Sequence, residues 1–178
     1  MTGGPKLWLY RGIYLLLGLF MVALPLLPLQ FNPSQWPMPD MLFALTLAWV
    51  VRQPRSAPFL LVAALALLAD AVLMRPLGLW AFLFLIVVET IRISYKSIQE
   101  RGVIFETMVA FAALVIMLMA QNIVLWISFA TPMPLAISAK FILRSLLFYS
   151  FMIIFLHYII RVRKPDISHR PDRLGKIK

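Results

Sequence analysis

The chain has 178 residues, a net charge of +10 and no cysteine; 62% of its residues are hydrophobic, and its mean hydropathy is +0.90. Soluble domains are about half apolar and mix apolar with polar positions, whereas here the apolar residues form runs of about membrane-spanning length. This composition excludes disulfides and thiolate metal sites, leaves no room for a separate soluble domain, and predicts an integral membrane protein.

The first apolar run predicts a membrane span over residues 7–29. A proline-rich segment follows over residues 31–40, in which each proline lacks an amide donor and prevents a continuous helix. Trp36 in this segment is typical of a membrane interface. The second predicted span, residues 39–51, is short; Asp40 can cap its N-terminus, and Arg52 ends it.

The third predicted span, residues 57–74, carries a carboxylate inside an apolar helix. Ala63, Ala66 and Asp70 share one face by helical spacing, and small residues allow a neighbouring helix to approach closely. The corner that follows contains Arg75 and Gly78, which together with a proline break the helix. We therefore expect Asp70 to point into the bundle at this corner.

Three further segments complete the body of the chain. The fourth span is predicted over residues 77–93 and contains Glu89; a polar connection, SYKSIQERG, follows it. The fifth span is predicted over residues 103–129 and the sixth over residues 135–160. The basic tail, residues 161–178, is too polar and too rich in proline to fold alone. We expect it to rest on anionic lipid, with docking of a cytoplasmic partner as the alternative.

The distribution of basic residues predicts six spans with both termini in the cytoplasm. One side collects Lys6, Arg11, Arg52, Arg55, Arg92, Lys96, Arg101 and the tail. The other side has only Arg75 in its connections, with Lys140 and Arg144 set into the sixth span. The same distribution argues against nucleic-acid binding, because the basic residues lie at helix ends and in the tail.

Charged side chains inside a membrane usually face the bundle interior and find partners there. From their depths we expect Asp70 to pair with Arg144 or Lys140, and Glu89 to pair with Arg52 or Arg92. Such pairs either only orient and lock the helices, or line a cavity for a ligand or partner. The sequence contains no catalytic triad, phosphate-binding glycine loop or metal-ligand cluster, so we expect no enzymatic activity and no cofactor.

Several short motifs, in their order and spacing, resemble the MreD family of rod shape-determining proteins. They are Pro39-Asp40 at the start of a short apolar span, Trp49 and Arg52 at its end, Asp70 late in the next span, and Pro76-Leu77-Gly78-Leu79 at the corner. The resemblance covers roughly residues 7–160. Carried over residue by residue, it singles out Asp40, Arg52, Asp70 and Gly78.

The resemblance implies a non-enzymatic protein of the bacterial inner membrane with a fold similar to the six-helix substrate-binding subunits of energy-coupling factor transporters. It implies binding to MreC and action with MreB, RodA and a class B penicillin-binding protein in lateral wall synthesis. The alternative is a transporter subunit that uses an outer cavity between the third and sixth spans for a small molecule. Short, proline-rich outer connections favour protein contact over substrate capture.

Overall fold

The computed structural model describes residues 4–27, 38–131 and 133–158. Six α-helices account for most of these ranges, with a short 3-10 turn (Leu24–Leu26) after the first. They are α1 (Gly4–Ala23), α2 (Met41–Arg52), α3 (Phe59–Val72), α4 (Leu79–Glu100), α5 (Gly102–Ile127) and α6 (Leu135–Tyr158). No strand occurs within these ranges, and the predicted all-α class is confirmed.

Three segments are long and apolar enough to cross a membrane: Leu7–Leu26, Gly102–Ile127 and Leu135–Leu156. They belong to α1, α5 and α6. The helices α2 and α3 are apolar but shorter, with 12 and 14 residues. At 1.5 Å per residue α2 is about 18 Å long, less than the roughly 30 Å of a hydrocarbon core.

Helix α2 is the centre of the fold. Every residue from Leu42 to Arg52 is buried, and α2 packs against α1, α3, α4 and α6. A helix that is apolar all round is stable only when other helices surround it. The aromatic side chains of Phe43 and Trp49 are fully buried there, with Tyr14 of α1 against the Trp49 ring at a centroid distance of 5.5 Å.

The ends of α2 and α3 follow from local chain chemistry. The predicted cap of α2 is confirmed, because Asp40 Oδ1 accepts a hydrogen bond of 2.9 Å from the backbone amide of Phe43. Helix α3 ends in a Schellman motif with Met74 in the left-handed region (φ 51°), where the Arg75 amide donates to the Asp70 carbonyl over 3.0 Å. This motif turns the chain sharply towards α4.

Helix α4 is longer than the sequence predicted. The polar stretch expected to be a connection is helical as far as Glu100, and only Arg101 separates α4 from α5. The reason lies in its buried face: Ile98 is in the core, and the Gln99 amide donates to the carbonyl of Val51 on α2. Tertiary contact with α2 thus extends the helix past its apolar part.

The starts of the six helices and the ends of α2, α3 and α5 lie within three residues of the predictions, whereas α1 ends at Ala23, six residues before the predicted end at residue 29, and passes into the 3-10 turn Leu24–Leu26. Trp36, the last residues of the first and sixth predicted spans, and the basic tail lie outside the described residues. The predicted small-residue face of α3 is largely confirmed, since Ala66 and Asp70 are buried and Ala63 is half-buried.

Close packing of α1 on α3 depends on Gly18. A Cβ built at this glycine would lie 2.5 Å from Leu65 Cδ1, whereas the space around Gly12 is open. Leu65 is only 4% exposed, so its side chain has little room to move away.

We therefore expect Gly18→Val to lower the free energy of unfolding by about 1–3 kcal/mol, the usual effect of overpacking. Thermal unfolding of the purified protein in detergent measures this. Gly12→Val is the matched control on the same helix; equal thermal midpoints for the two variants would contradict the close approach.

Candidate functional site: two polar clusters and an apolar groove

Four side chains gather at the N-terminus of α2 and form what we call the Asp40 cluster: Asp40, Arg75, Trp80 and Ser145. Asp40 Oδ2 accepts hydrogen bonds from Trp80 Nε1 at 2.7 Å and Arg75 Nη1 at 3.1 Å. The Asp40 backbone amide donates to Ser145 Oγ of α6 over 3.0 Å. The Arg75 guanidinium also lies 5.0 Å from the centre of the Trp80 ring, a cation–π contact. The residue that caps α2 therefore binds both the α3–α4 corner and α6.

Asp70 is fully buried beside this cluster and binds the beginning of α4. Its Oδ2 atom accepts hydrogen bonds of 3.0 Å from the backbone amides of Gly78 and Ala81. These amides have no partner inside α4, and the positive end of the helix dipole favours an acceptor there. Gly78 adopts φ 86°, a conformation that glycine reaches without strain. Asp70 thereby caps α4 from the preceding helix.

The predicted pairing of Asp70 with Arg144 or Lys140 is wrong. Asp70 lies at the α3–α4 corner, where the amides of α4 bind its carboxylate and Arg75 lies near by. On α6, Lys140 is exposed and Arg144 half-buried. Depth along the membrane normal was the basis of the prediction, and depth alone does not say which helices are neighbours.

A second group of side chains at the C-terminus of α2 forms the Arg52 cluster: Arg52, Glu106 and Tyr149. Arg52 Nη1 lies 2.8 Å from Glu106 Oε1 of α5, and the two side chains are 3% and 1% exposed. The same Nη1 donates to the Ala48 carbonyl at 2.7 Å, and Tyr149 of α6 donates to Glu106 Oε1 at 2.9 Å. A buried ion pair therefore ties α2 to α5, and Tyr149 adds α6.

Glu89 pairs with Arg92, one of the two partners that the sequence predicted. Glu89 Oε1 and Arg92 Nη1 are 2.8 Å apart one turn along α4, and both side chains are partly exposed. Arg92 also donates to the carbonyl of Ala57, just before α3. This pair lies at the rim of the bundle. Arg52, the other predicted partner of Glu89, pairs with Glu106 instead.

Glu106 is the functional candidate that sequence reasoning missed. It lies between Phe105 and Thr107 near the start of an apolar helix, so the rule that singled out Asp70 and Glu89 applies to it equally. Trp80 was missed for a different reason. Its indole N–H binds Asp40 across 40 residues of chain, and no local pattern signals that contact.

The cavity of about 480 Å³ between α5 and α6 is far larger than the spaces of about 30 and 10 Å³ near Asp40. We call it the α5–α6 groove. Its lining comprises Val115, Leu118, Met119, Asn122, Ile123, Trp126, Leu135, Ser138, Ala139 and Ile142. Asn122 and Ser138 are the only polar residues of this lining. The predicted location of a cavity between the third and sixth spans is not where this groove lies.

The chemistry of the two clusters is that of helix attachment. Each buried charge on α2 contacts a charge or a polar group on another helix, and Asp70 binds backbone amides. Within the described ranges, no three His, Asp or Glu side chains come together as metal ligands would. The clusters fix the positions of the helices. Many large apolar side chains are left exposed on the outside of the bundle.

Comparison of the chain with protein-family models, with curated proteins and with solved structures finds no match in any of the three.

The Arg52–Glu106 pair gives a first test of this account. We expect Arg52→Met or Glu106→Gln alone to lower the free energy of unfolding by about 3–5 kcal/mol, because each leaves one buried group without its partner. The double variant should lose much less than the sum of the two. The free energy of unfolding is measured in lipid bicelles for the parent protein, the two single variants and the double variant. Additive losses in the double variant would contradict a direct contact.

Asp70 gives a second test at the other end of the bundle. Asp70→Asn keeps an acceptor oxygen for the Gly78 and Ala81 amides and should unfold close to the parent protein. Asp70→Ala removes both hydrogen bonds, and we expect a loss of about 1–3 kcal/mol for each amide left buried without an acceptor. Thermal unfolding of the two variants compares them directly; equal losses would show that the charge, not the acceptor, matters.

Proposed function

We propose that this chain is a non-enzymatic scaffold of the bacterial cell-elongation machinery, similar to MreD proteins, and that it binds MreC in the inner membrane. Through MreC it acts with MreB, RodA and a class B penicillin-binding protein in lateral wall synthesis. The observation that carries the proposal is the use of the buried charges. They hold α2 among its neighbours. The interior therefore stabilises the fold, and the outer faces of the helices are left to bind partners.

The residues behind the family resemblance support this interpretation. The resemblance to the MreD family singles out Asp40, Arg52, Asp70 and Gly78. In the structure each of them takes part in attaching one helix to another or in starting α4. A family of scaffolds needs these residues for a fixed shape, and no catalytic step is required to explain them.

The proposed arrangement in the membrane has six spans with both termini in the cytoplasm. Arg52 and Lys96 lie near the C-terminal ends of α2 and α4, Arg55 follows α2, and Arg101 separates α4 from α5. Arg92 lies further inside α4 and contacts Ala57, just before α3. This end of the bundle contains the Arg52 cluster and would face the cytoplasm under the positive-inside rule. The Asp40 cluster would then face the periplasm, with Arg75 in its connection. In this arrangement α2 crosses an interior enclosed by other helices, whereas α3 keeps an outward face, on which Leu60 is 79% exposed.

The alternative proposal, a substrate-binding subunit of a transporter, is less well supported by the cavities. The α5–α6 groove is within the size range of small-molecule sites, roughly 300–1,000 Å³. However, such sites place several polar groups around the ligand, and here two polar residues lie among ten. The spaces near Asp40 are too small for a metabolite.

Photo-crosslinking in living cells tests the scaffold proposal. A benzoylphenylalanine at Leu60 of α3 or Phe82 of α4 would sit on the outer face, because these side chains are 79% and 62% exposed. We expect one of these positions to capture a protein with a single membrane span, identified by mass spectrometry as the MreC of the host. Depletion of the chain should convert rod-shaped cells into spheres.

The control position is Phe84, which is on α4 but only 2% exposed. A probe there should yield no adduct with another protein. Loss of cell shape without any captured partner from either exposed helix would count against binding through α3 and α4. A small molecule that copurifies with the chain and is lost in Asp70→Ala would favour transport.

A further inference from the structure

Helices α3 and α4 form one edge of the bundle with an outward apolar face, which we call the α3–α4 edge. The two helices run antiparallel, because the carbonyl of Ala57, just before α3, contacts Arg92 of α4, whereas Asp70 near the other end of α3 contacts the Ala81 amide. The exposed large apolar side chains of this edge are Leu60, Leu67, Phe82, Ile86 and Ile93.

Charged groups bound the α3–α4 edge at both ends. At the corner between the two helices, Arg75 pairs with Asp40 over 3.1 Å. At the opposite end, Arg92 pairs with Glu89 and donates to the carbonyl of Ala57, which precedes α3 by two residues. One arginine therefore marks the polar level for the start of α3 and for the end of the apolar part of α4.

The apolar length between these two levels is short on both helices. Helix α3 has 14 residues, which is about 21 Å at 1.5 Å per residue, or about 24 Å when the chain is counted as far as Met74. The part of α4 from Leu79 to Arg92 again spans about 21 Å. A tilt of either helix would shorten its extent along the membrane normal further. Because the hydrocarbon core of a typical bilayer is about 30 Å thick, this edge is too short for it.

The other outer helices are longer. The apolar segments of α1, α5 and α6 have 20, 26 and 22 residues, or roughly 30–39 Å. Helix α3 packs against α1 and α4, whereas α5 packs against α4 and α6. The shortfall in apolar length therefore belongs to one edge of the bundle rather than to the whole exterior.

The arginines at the two levels are held by protein contacts. Long basic side chains at helix ends often compensate for a short helix by extending to the headgroups. Here Asp40 and the Trp80 ring, 5.0 Å away, hold the guanidinium of Arg75, and Glu89 and a backbone carbonyl hold that of Arg92. When the protein cannot extend its polar groups, the lipid beside a short apolar surface adapts by thinning.

We propose that the α3–α4 edge thins the bilayer beside it to a hydrocarbon thickness of about 21–24 Å, and that phospholipids with short acyl chains are preferred along this edge. The proposal rests on the proposed arrangement of the chain in the membrane and does not depend on the identity of any partner. Because hydrophobic mismatch also favours helix association, a thinned edge favours binding of a partner helix there.

Spin labels at two matched positions test the proposal. The chain has no cysteine, so a single introduced cysteine carries the only nitroxide. Leu67 lies near the middle of α3 and Leu16 near the middle of the apolar segment of α1, and they are 49% and 68% exposed. The labelled full-length chain is reconstituted in phospholipid vesicles with a hydrocarbon core of about 30 Å. Power saturation with oxygen and a water-soluble nickel complex then measures the depth of each label.

We expect a depth of about 11 Å for Leu67→Cys and about 15 Å for Leu16→Cys, half of the respective apolar lengths. In vesicles of shorter acyl chains, with a core close to about 22 Å, the two depths should become nearly equal. The comparison is internal to one protein, because both labels report on the same bilayer beside different helices.

A variant with a longer apolar edge provides a second measurement. Glu89→Leu/Arg92→Leu removes the charged boundary on α4, and the label at Leu67 should move deeper by about 3 Å, half of one helical turn. Lys96→Leu is the control, because Lys96 is exposed one turn beyond Arg92 and the boundary stays in place. Thermal unfolding checks that both variants are folded.

Three results would overturn the proposal. Equal depths at Leu67 and Leu16 in a chain embedded in the vesicles of ordinary thickness would mean that the bilayer is not thinned, and would leave the six-span arrangement intact. An unchanged depth at Leu67 in folded Glu89→Leu/Arg92→Leu would show that these charges do not set the thickness. A chain that alkaline carbonate extracts from the vesicles would overturn the membrane arrangement as well.

Discussion

The buried ion pair between Arg52 and Glu106 is the contact on which the rest of the arrangement depends. Helix α2 is shorter than a hydrocarbon core is thick and ends in a charge on each side, so both ends need polar partners from other helices. Glu106 and Tyr149 supply them at one end, and Arg75, Trp80 and Ser145 at the other. These contacts determine how α4, α5 and α6 are positioned against α2.

This constraint explains what the buried polar residues do in an otherwise apolar chain: they fix the positions of the helices. A buried charge that loses its partner is costly, which makes the two clusters specific: α2 fits its neighbours in one position along its axis. The faces turned outward carry large apolar side chains on all the longer helices. A rigid core with apolar outer faces suits a protein whose partners are other membrane helices and lipids.

Much of the fold could be predicted from the sequence, because apolar runs and helix caps are local signals. The six helices, the Asp40 cap and the Glu89–Arg92 pair belong to this class. What could not be predicted depends on which helices are neighbours. Asp70 was paired with α6 on depth alone, and the polar end of α4 was taken for a loop because its contact with Val51 is tertiary.

The most direct measurement is the ability of Arg52→Met/Glu106→Gln to maintain rod shape in cells depleted of the parent chain. If the buried pair only holds helices in position, and partners bind to the outer faces, this double variant should be present in the membrane at normal levels. It should also restore rod-shaped cells. A double variant that is folded and abundant but leaves the cells spherical would contradict the account, because the charges would then take part in function directly.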